Sequence, residues 1–117
     1  MNKIERIDVV PGMARIVKYN GVAYFTGHSA RPEFKGIEEQ VKAVLERYDE
    51  LFEINGLKKE NILVMNAYLS DIHDVDAFNK ALIPWLNGVG PAGVAVEAHP
   101  MGDDNFLELQ FFVACED

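Results

Sequence analysis

Seven apolar side chains, Ile37, Val41, Val44, Leu45, Tyr48, Leu51 and Phe52, recur at offsets of 0, 4, 7, 8, 11, 14 and 15. That spacing puts one apolar stripe on one long helix. A helix with a single greasy face must bury it against something flat, so the rest of the chain has to supply a sheet or a second helix. Glu38 and Glu39 stand in its first turn, where the positive end of the helix dipole favours acids, and Gly56 closes it as a C′ residue.

The sheet is legible on both sides of this helix. Ala14 to Tyr19 and Val22 to Thr26 are β-rich runs joined by Asn20-Gly21, a dipeptide suited to a two-residue type I′ turn. Ile4 to Val10 reads as a weaker strand that stops at Pro11-Gly12. Asn61 to Leu69 reads as a mostly buried strand. A second helix is expected from about Asp74 to Leu86, with Asp71 and Asp74 as caps, Val75, Phe78, Leu82 and Trp85 on one face, and Pro84 cutting short its last turn. Gly88 to Gly93 is expected as a loop, followed by strands at Val94 to His99 and Phe106 to Ala114. The order β-β-β-α-β-α-β-β predicts an α+β sandwich of two layers, with both helices on one face of a mixed sheet. The opposite face would carry Tyr24, Glu108, Gln110 and Phe112, too apolar for bare solvent and too polar for a dry core. Burial against other copies of the same chain is the expected cover.

Length and composition bound the function. A chain of 117 residues, 49% hydrophobic and 26% charged, is expected to form one globular domain over residues 1–117. The formal charge of −8 argues against nucleic acid, because phosphate neutralisation needs clustered bases and only Lys58-Lys59 are adjacent. Ile62 to Leu69, interrupted by Asn66, is too short to cross a bilayer, so no membrane association is expected. Met1 to Arg6 has no apolar secretory core, and one cysteine, Cys115, cannot form an internal disulfide. A reducing cytoplasmic setting is expected.

Most chemical motifs dissolve on inspection. Gly88-x-Gly90-x-x-Gly93 follows a helix and enters a strand, whereas a dinucleotide fingerprint leaves a strand and opens a helix, and Pro91 lacks an amide hydrogen. Asp71, His73, Asp74 and Asp76 fit helix capping better than metal ligation, so neither metal nor cofactor is expected. Ser29 and Ser70 lack a nucleophile elbow, and Cys115 lies beside Glu116 and Asp117, which raise a thiol pKa.

A longer pattern remains. Asn20 to His28 (NGVAYFTGH), Tyr68 to Ile72, Phe78-Asn79, Trp85, Pro91-Ala92, Val96 to Ala98 and Leu107 to Leu109 together resemble the Rid family, the reactive intermediate deaminases also called YjgF or L-PSP-like proteins. The resemblance spans nearly the whole chain. It implies a chorismate mutase-like fold and a homotrimer whose sheets close a central β-barrel, with a small-molecule cleft at each subunit boundary. Archetypal members hydrolyse enamines and imines. An arginine after Pro-Ala grips the substrate carboxylate as a bidentate pair, and a glutamate on the last strand positions or activates water.

Carried over by position, Thr26 and Gly27 match the hairpin-strand pair, Asn79 the asparagine of the second helix, and Glu108 the catalytic glutamate. His28 follows Gly27 and is expected to line the cleft as a donor or weak base. The arginine position is Gly93, the position two residues on is Ala95, and the family's tyrosine falls near Met13. Loss of a bidentate guanidinium removes on the order of 2–5 kcal/mol of carboxylate binding. The chain thus resembles Rid subgroups without the arginine, for which archetypal deamination is not expected. Three readings follow: binding or slow conversion of a small metabolite, neutral or large enough to fill the space at Gly93; deamination of a variant imine with Glu108 on water and Arg31 or Arg15 as anion clamp; or a non-catalytic regulatory or chaperone-like trimer.

Overall fold

The computed structural model describes residues 3–30 and 34–116. Six strands form one sheet: β1 (Glu5–Val10), β2 (Met13–Tyr19), β3 (Val22–Phe25), β4 (Ile62–Leu69), β5 (Ala92–Glu97) and β6 (Leu107–Ala114). Two helices, α1 (Ile37–Ile54) and α2 (Val75–Leu86), complete the α+β arrangement. The spatial order is β1-β2-β3-β6-β4-β5, antiparallel throughout except for the parallel pair β4–β5. Asn20 and Gly21, both at positive φ, make the β2–β3 turn as expected.

The alternation of β6 shows how the layers form. Leu107, Leu109, Phe111 and Val113 are buried, whereas Glu108, Gln110, Phe112 and Ala114 are only partly covered. The buried set meets Val41, Val44, Tyr48, Leu51 and Phe52 of α1 and Phe78 and Leu82 of α2 in one core. The expected apolar stripe is therefore the buried face of α1, ending at Asn55 with Gly56 at φ 67°. Trp85 stacks on Phe111, with ring centroids 5.5 Å apart, and ties α2 to the same sheet.

The other sheet face is uncovered. Tyr24 packs edge-on against Phe112 at 5.1 Å and stays 40% exposed. Asn66 donates to Gln110, and Gln110 in turn donates to the Phe25 carbonyl. Val94 and Val96, in register with Asn66 and Tyr68, continue this face onto edge strand β5 at 55% and 39% exposure.

Three local expectations need correction. The segment at Gly88 to Gly93 is not all loop, because β5 begins at Ala92 and ends at Glu97, two residues earlier at each end than expected. Parallel pairing of Val64 with Ala92 and Met65 with Gly93 sets that start, and glycine composition hid it. Pro84 does not cut short α2, which continues to Leu86 and ends at Asn87 in the left-handed conformation. Its ring deprives only the carbonyl of Lys80, on the solvent side, of a bond. Asp74 makes no side-chain cap, while Asp71 accepts from the His73 amide at 2.9 Å and caps the short 3₁₀ turn Ile72–Asp74 instead. No helix among the described residues is long and apolar enough to cross a membrane.

Candidate functional site

Beyond β3 the backbone leaves regular pairing but stays pinned. The Thr26 amide donates to the Arg15 carbonyl at 2.9 Å, and His28 and Leu109 exchange a reciprocal pair of 2.9 Å amide–carbonyl bonds. Gly27 is held between them, alongside Glu108. A Cβ at position 27 would overlap the Glu108 carboxylate, 2.8 Å from its Cδ. Glycine permits this close approach, and its missing side chain is the space that Glu108 occupies. Sequence reasoning placed Gly27 and Glu108 in one site, and the structure brings them into contact.

His28 is set by the core behind it. Its Nδ1 lies 3.0 Å from the Thr26 carbonyl and 3.2 Å from the Tyr48 hydroxyl, while Tyr48 donates at 2.7 Å to the Leu109 carbonyl. A carbonyl can only accept, so Nδ1 carries the hydrogen and Nε2 keeps its lone pair. Burial lowers the imidazole pKa below its ordinary value, and the guanidinium charges of Arg15 and Arg47 act in the same direction, against the Thr26 carbonyl. The ring is therefore a neutral acceptor at physiological pH. Tyr48 is fixed as a hydroxyl, since burial and the nearby Glu108 charge push its pKa far above the ordinary phenol range.

A groove of about 740 Å³ opens over this floor. Thr26, Gly27 and His28 form its base, Met13 and Arg15 one wall, and Arg47 of α1 the other. The Thr26 hydroxyl donates to the Met13 thioether at 3.4 Å, a weak bond that a better acceptor can replace. Arg15 Nε stands 3.2 Å from Asp8 Oδ2 but off the hydrogen-bond direction, and that buried Nε has no hydrogen-bond partner among the described residues. Among the described residues Arg47 pairs with Glu50, at 3.1 Å and one helical turn away. A second recess of about 360 Å³, reaching Phe34 and Ala43, shares His28, Ser29 and Arg47 with the first.

The remaining candidates lie elsewhere in the chain. Gly93 and Ala95 sit on β5, three strand spacings or roughly 14 Å from β3. Their register partners, Met65 and Ala67, belong to the helix-facing side of the sheet, whereas Glu108 is paired with Tyr68 on the open side. Asn79 lies on α2, in the helix layer. One chain therefore brings together Thr26, Gly27, His28, Arg15 and Glu108, and leaves Asn79, Gly93 and Ala95 apart from them. Arg31 lies outside the described residues.

Gly93 itself is unusual. It has φ 139°, and a Cβ there would collide with the Met65 carbonyl, 2.8 Å from its carbon. The position that the resemblance matched to the family's arginine has, in this backbone, no room for any side chain.

Two groove-lining residues were not among the sequence candidates: Arg47, which was not singled out, and Ser29, which was considered only as a nucleophile. Arg47 follows Ala43 by four residues and precedes Tyr48, so it flanks the apolar stripe above a small residue. That pattern marks a groove edge but does not say which groove. Gln40, fully buried, was also missed: it donates to the Phe34 and Asp104 carbonyls and accepts from the Phe106 amide, tying two loops to α1.

Comparison with known proteins agrees with this geometry. The family described as Endoribonuclease L-PSP matches residues 4–115. A RutC family protein of Haemophilus ducreyi is 32% identical over 96 residues, covering 81% of this chain and 82% of its own. Another, of Haemophilus influenzae, is 29% identical over 116 residues, covering 96% and 98%. A crystallised YjgF-family protein of Neisseria meningitidis superposes with a TM-score of 0.88 at 24% identity, over 98% of this chain and 97% of that one. Fold and sequence thus lead to one conclusion: this chain belongs to the Rid family of YjgF and L-PSP proteins.

Proposed function

We propose that the chain works as a homotrimer that binds, or slowly converts, a small polar metabolite in clefts between subunits, without archetypal imine or enamine deamination. The observation that carries this reading is Gly93. Its φ and the Met65 carbonyl leave no space for the guanidinium on which a carboxylate clamp depends. Glu108 remains beside Gly27, so a group able to orient water is retained where the clamp is not.

Assembly is supported by the division of the candidate residues. Thr26, Gly27, His28 and Glu108 sit at the β3–β6 end of the chain, while Gly93, Ala95 and Asn79 sit toward β5 and α2. Only a second copy can place the two groups across one cleft. The uncovered face with Tyr24, Phe112, Val94 and Val96 supplies the apolar surface that such closure would bury. A cytoplasmic setting and the absence of a nucleic-acid partner belong to the same reading, the latter supported by the −8 charge, which a trimer multiplies.

A variant deaminase has one observation in its favour: Arg15 lies in the groove with Thr26, Gly27 and His28, where it could replace the missing clamp. Native mass spectrometry of protein purified without denaturant tests the main reading. It is expected to give a trimer, with small-molecule adducts that Glu108→Gln or Thr26→Val reduces. A monomer at micromolar concentration contradicts it.

A further inference from the structure

We infer that the groove walled by Arg15 and Arg47 is a phosphate site, taking a small phosphate monoester whose organic part offers a hydroxyl or amine to His28 Nε2. The inference concerns the groove that one chain forms, and it names the ligand class for the small-metabolite reading above.

The groove is rich in donors. Arg15 comes from β2, Arg47 from α1, and Thr26 and Ser29 from the segment after β3, and all four line one cavity. Each guanidinium has five N–H donors, and each faces a single carboxylate among the described residues. Asp8 is the one acid lining the groove among the described residues, and with Glu50 on Arg47 the two guanidiniums are balanced by two carboxylates, a locally neutral site in a chain of −8.

Arg15 is incompletely used. Its buried Nε lacks a hydrogen bond, although Asp8 stands 3.2 Å away at an exposed position with φ 55°. Aspartate tolerates that left-handed conformation, which carries its carboxylate toward the arginine. Asp8 thus holds Arg15 toward the groove without saturating it.

Donors that converge from three chain segments suit a tetrahedral oxyanion with acceptors on every side better than a planar carboxylate with two oxygens. His28 adds a neutral acceptor to the floor. His28 Nδ1 is committed to the Thr26 carbonyl, which leaves the Nε2 lone pair for a ligand donor.

The test is titration of the full-length chain, followed by amide NMR, with sn-glycerol 3-phosphate, inorganic phosphate, glycerate and glycerol as probes. Glycerol phosphate is expected to shift the Thr26 to Ser29 amides with millimolar affinity or better, and glycerol to leave them unmoved. Glycerate should bind roughly tenfold more weakly. Arg15→Gln and Arg47→Gln should each weaken glycerol phosphate by roughly tenfold or more, Arg47→Lys by less, and Lys80→Gln, in a different groove, not at all. Glycerate binding as tightly as glycerol phosphate overturns the preference for phosphate. Unchanged binding in Arg15→Gln, or no response to either phosphate at about 10 mM, overturns the site. One chain forms this groove, so a monomer that binds glycerol phosphate keeps this inference and defeats the trimer reading. A trimer that takes glycerol and its phosphate alike does the reverse.

Discussion

The Glu108 carboxylate lies where the Cβ of any residue but glycine at position 27 would have to sit. The candidate acid and the loop beneath the groove are thereby coupled. Gly27 has no unusual φ, so alanine strains no backbone there and only displaces a flexible side chain. Gly27→Ala should fold with a loss of about 1 kcal/mol, and its crystal structure should show Glu108 swung away from position 27. An unmoved Glu108 contradicts the coupling.

Gly93 predicts the opposite balance. There a Cβ meets backbone rather than a side chain, at a φ that L residues rarely adopt. Gly93→Ala should cost about 3 kcal/mol, and Gly93→Arg at least as much, with no gain in imine hydrolysis. Denaturant unfolding of the two alanine variants side by side checks the order. Equal costs would mean that β5 can relax, and that the loss of the arginine is not built into the backbone.

His28 gives stability a pH dependence of known sign. Its folded pKa lies below the ordinary 6.5, mainly through burial and further through Arg15 and Arg47. Above pH 6.5 the imidazole is neutral in folded and unfolded chains alike. Below it the unfolded chain takes up a proton that the folded chain refuses, so stability falls as pH drops from 6.5 toward the folded value. The midpoint temperature should decline over that window in the wild type and decline less in His28→Gln. Identical pH profiles would show that His28 titrates normally.

The sequence carried the layers well, because the α1 stripe and the β6 alternation are periodic signals that tertiary contacts reinforce. It misplaced the start of β5, where Ala92 and Gly93 owe their strand conformation to parallel pairing with β4 and not to propensity. For the candidate site, family resemblance singled out Thr26, Gly27 and Glu108, and the structure sets Gly27 against Glu108. The groove wall was not, since Arg47 reaches it only through the packing angle of α1 on the sheet. Gln40 illustrates the same limit: its partners Asp104 and Phe106 are more than sixty residues away, and only the fold makes a buried glutamine sensible.

That glutamine is itself a test of the scaffold. Gln40→Leu leaves two carbonyls and the Phe106 amide without their partner, and should cost about 2–3 kcal/mol. Thermal unfolding measures it. A loss below about 0.5 kcal/mol would mean that water replaces all three bonds.

The most direct measurement is hydrolysis of freshly generated amino-acid imines, followed by release of the keto acid with and without the protein. The geometry at Gly93 predicts rates no higher than the spontaneous reaction for small acidic imines, and no gain on adding more protein. Turnover matching that of arginine-bearing family members, abolished by Glu108→Gln, would contradict the account and make Arg15 or another cation the working clamp.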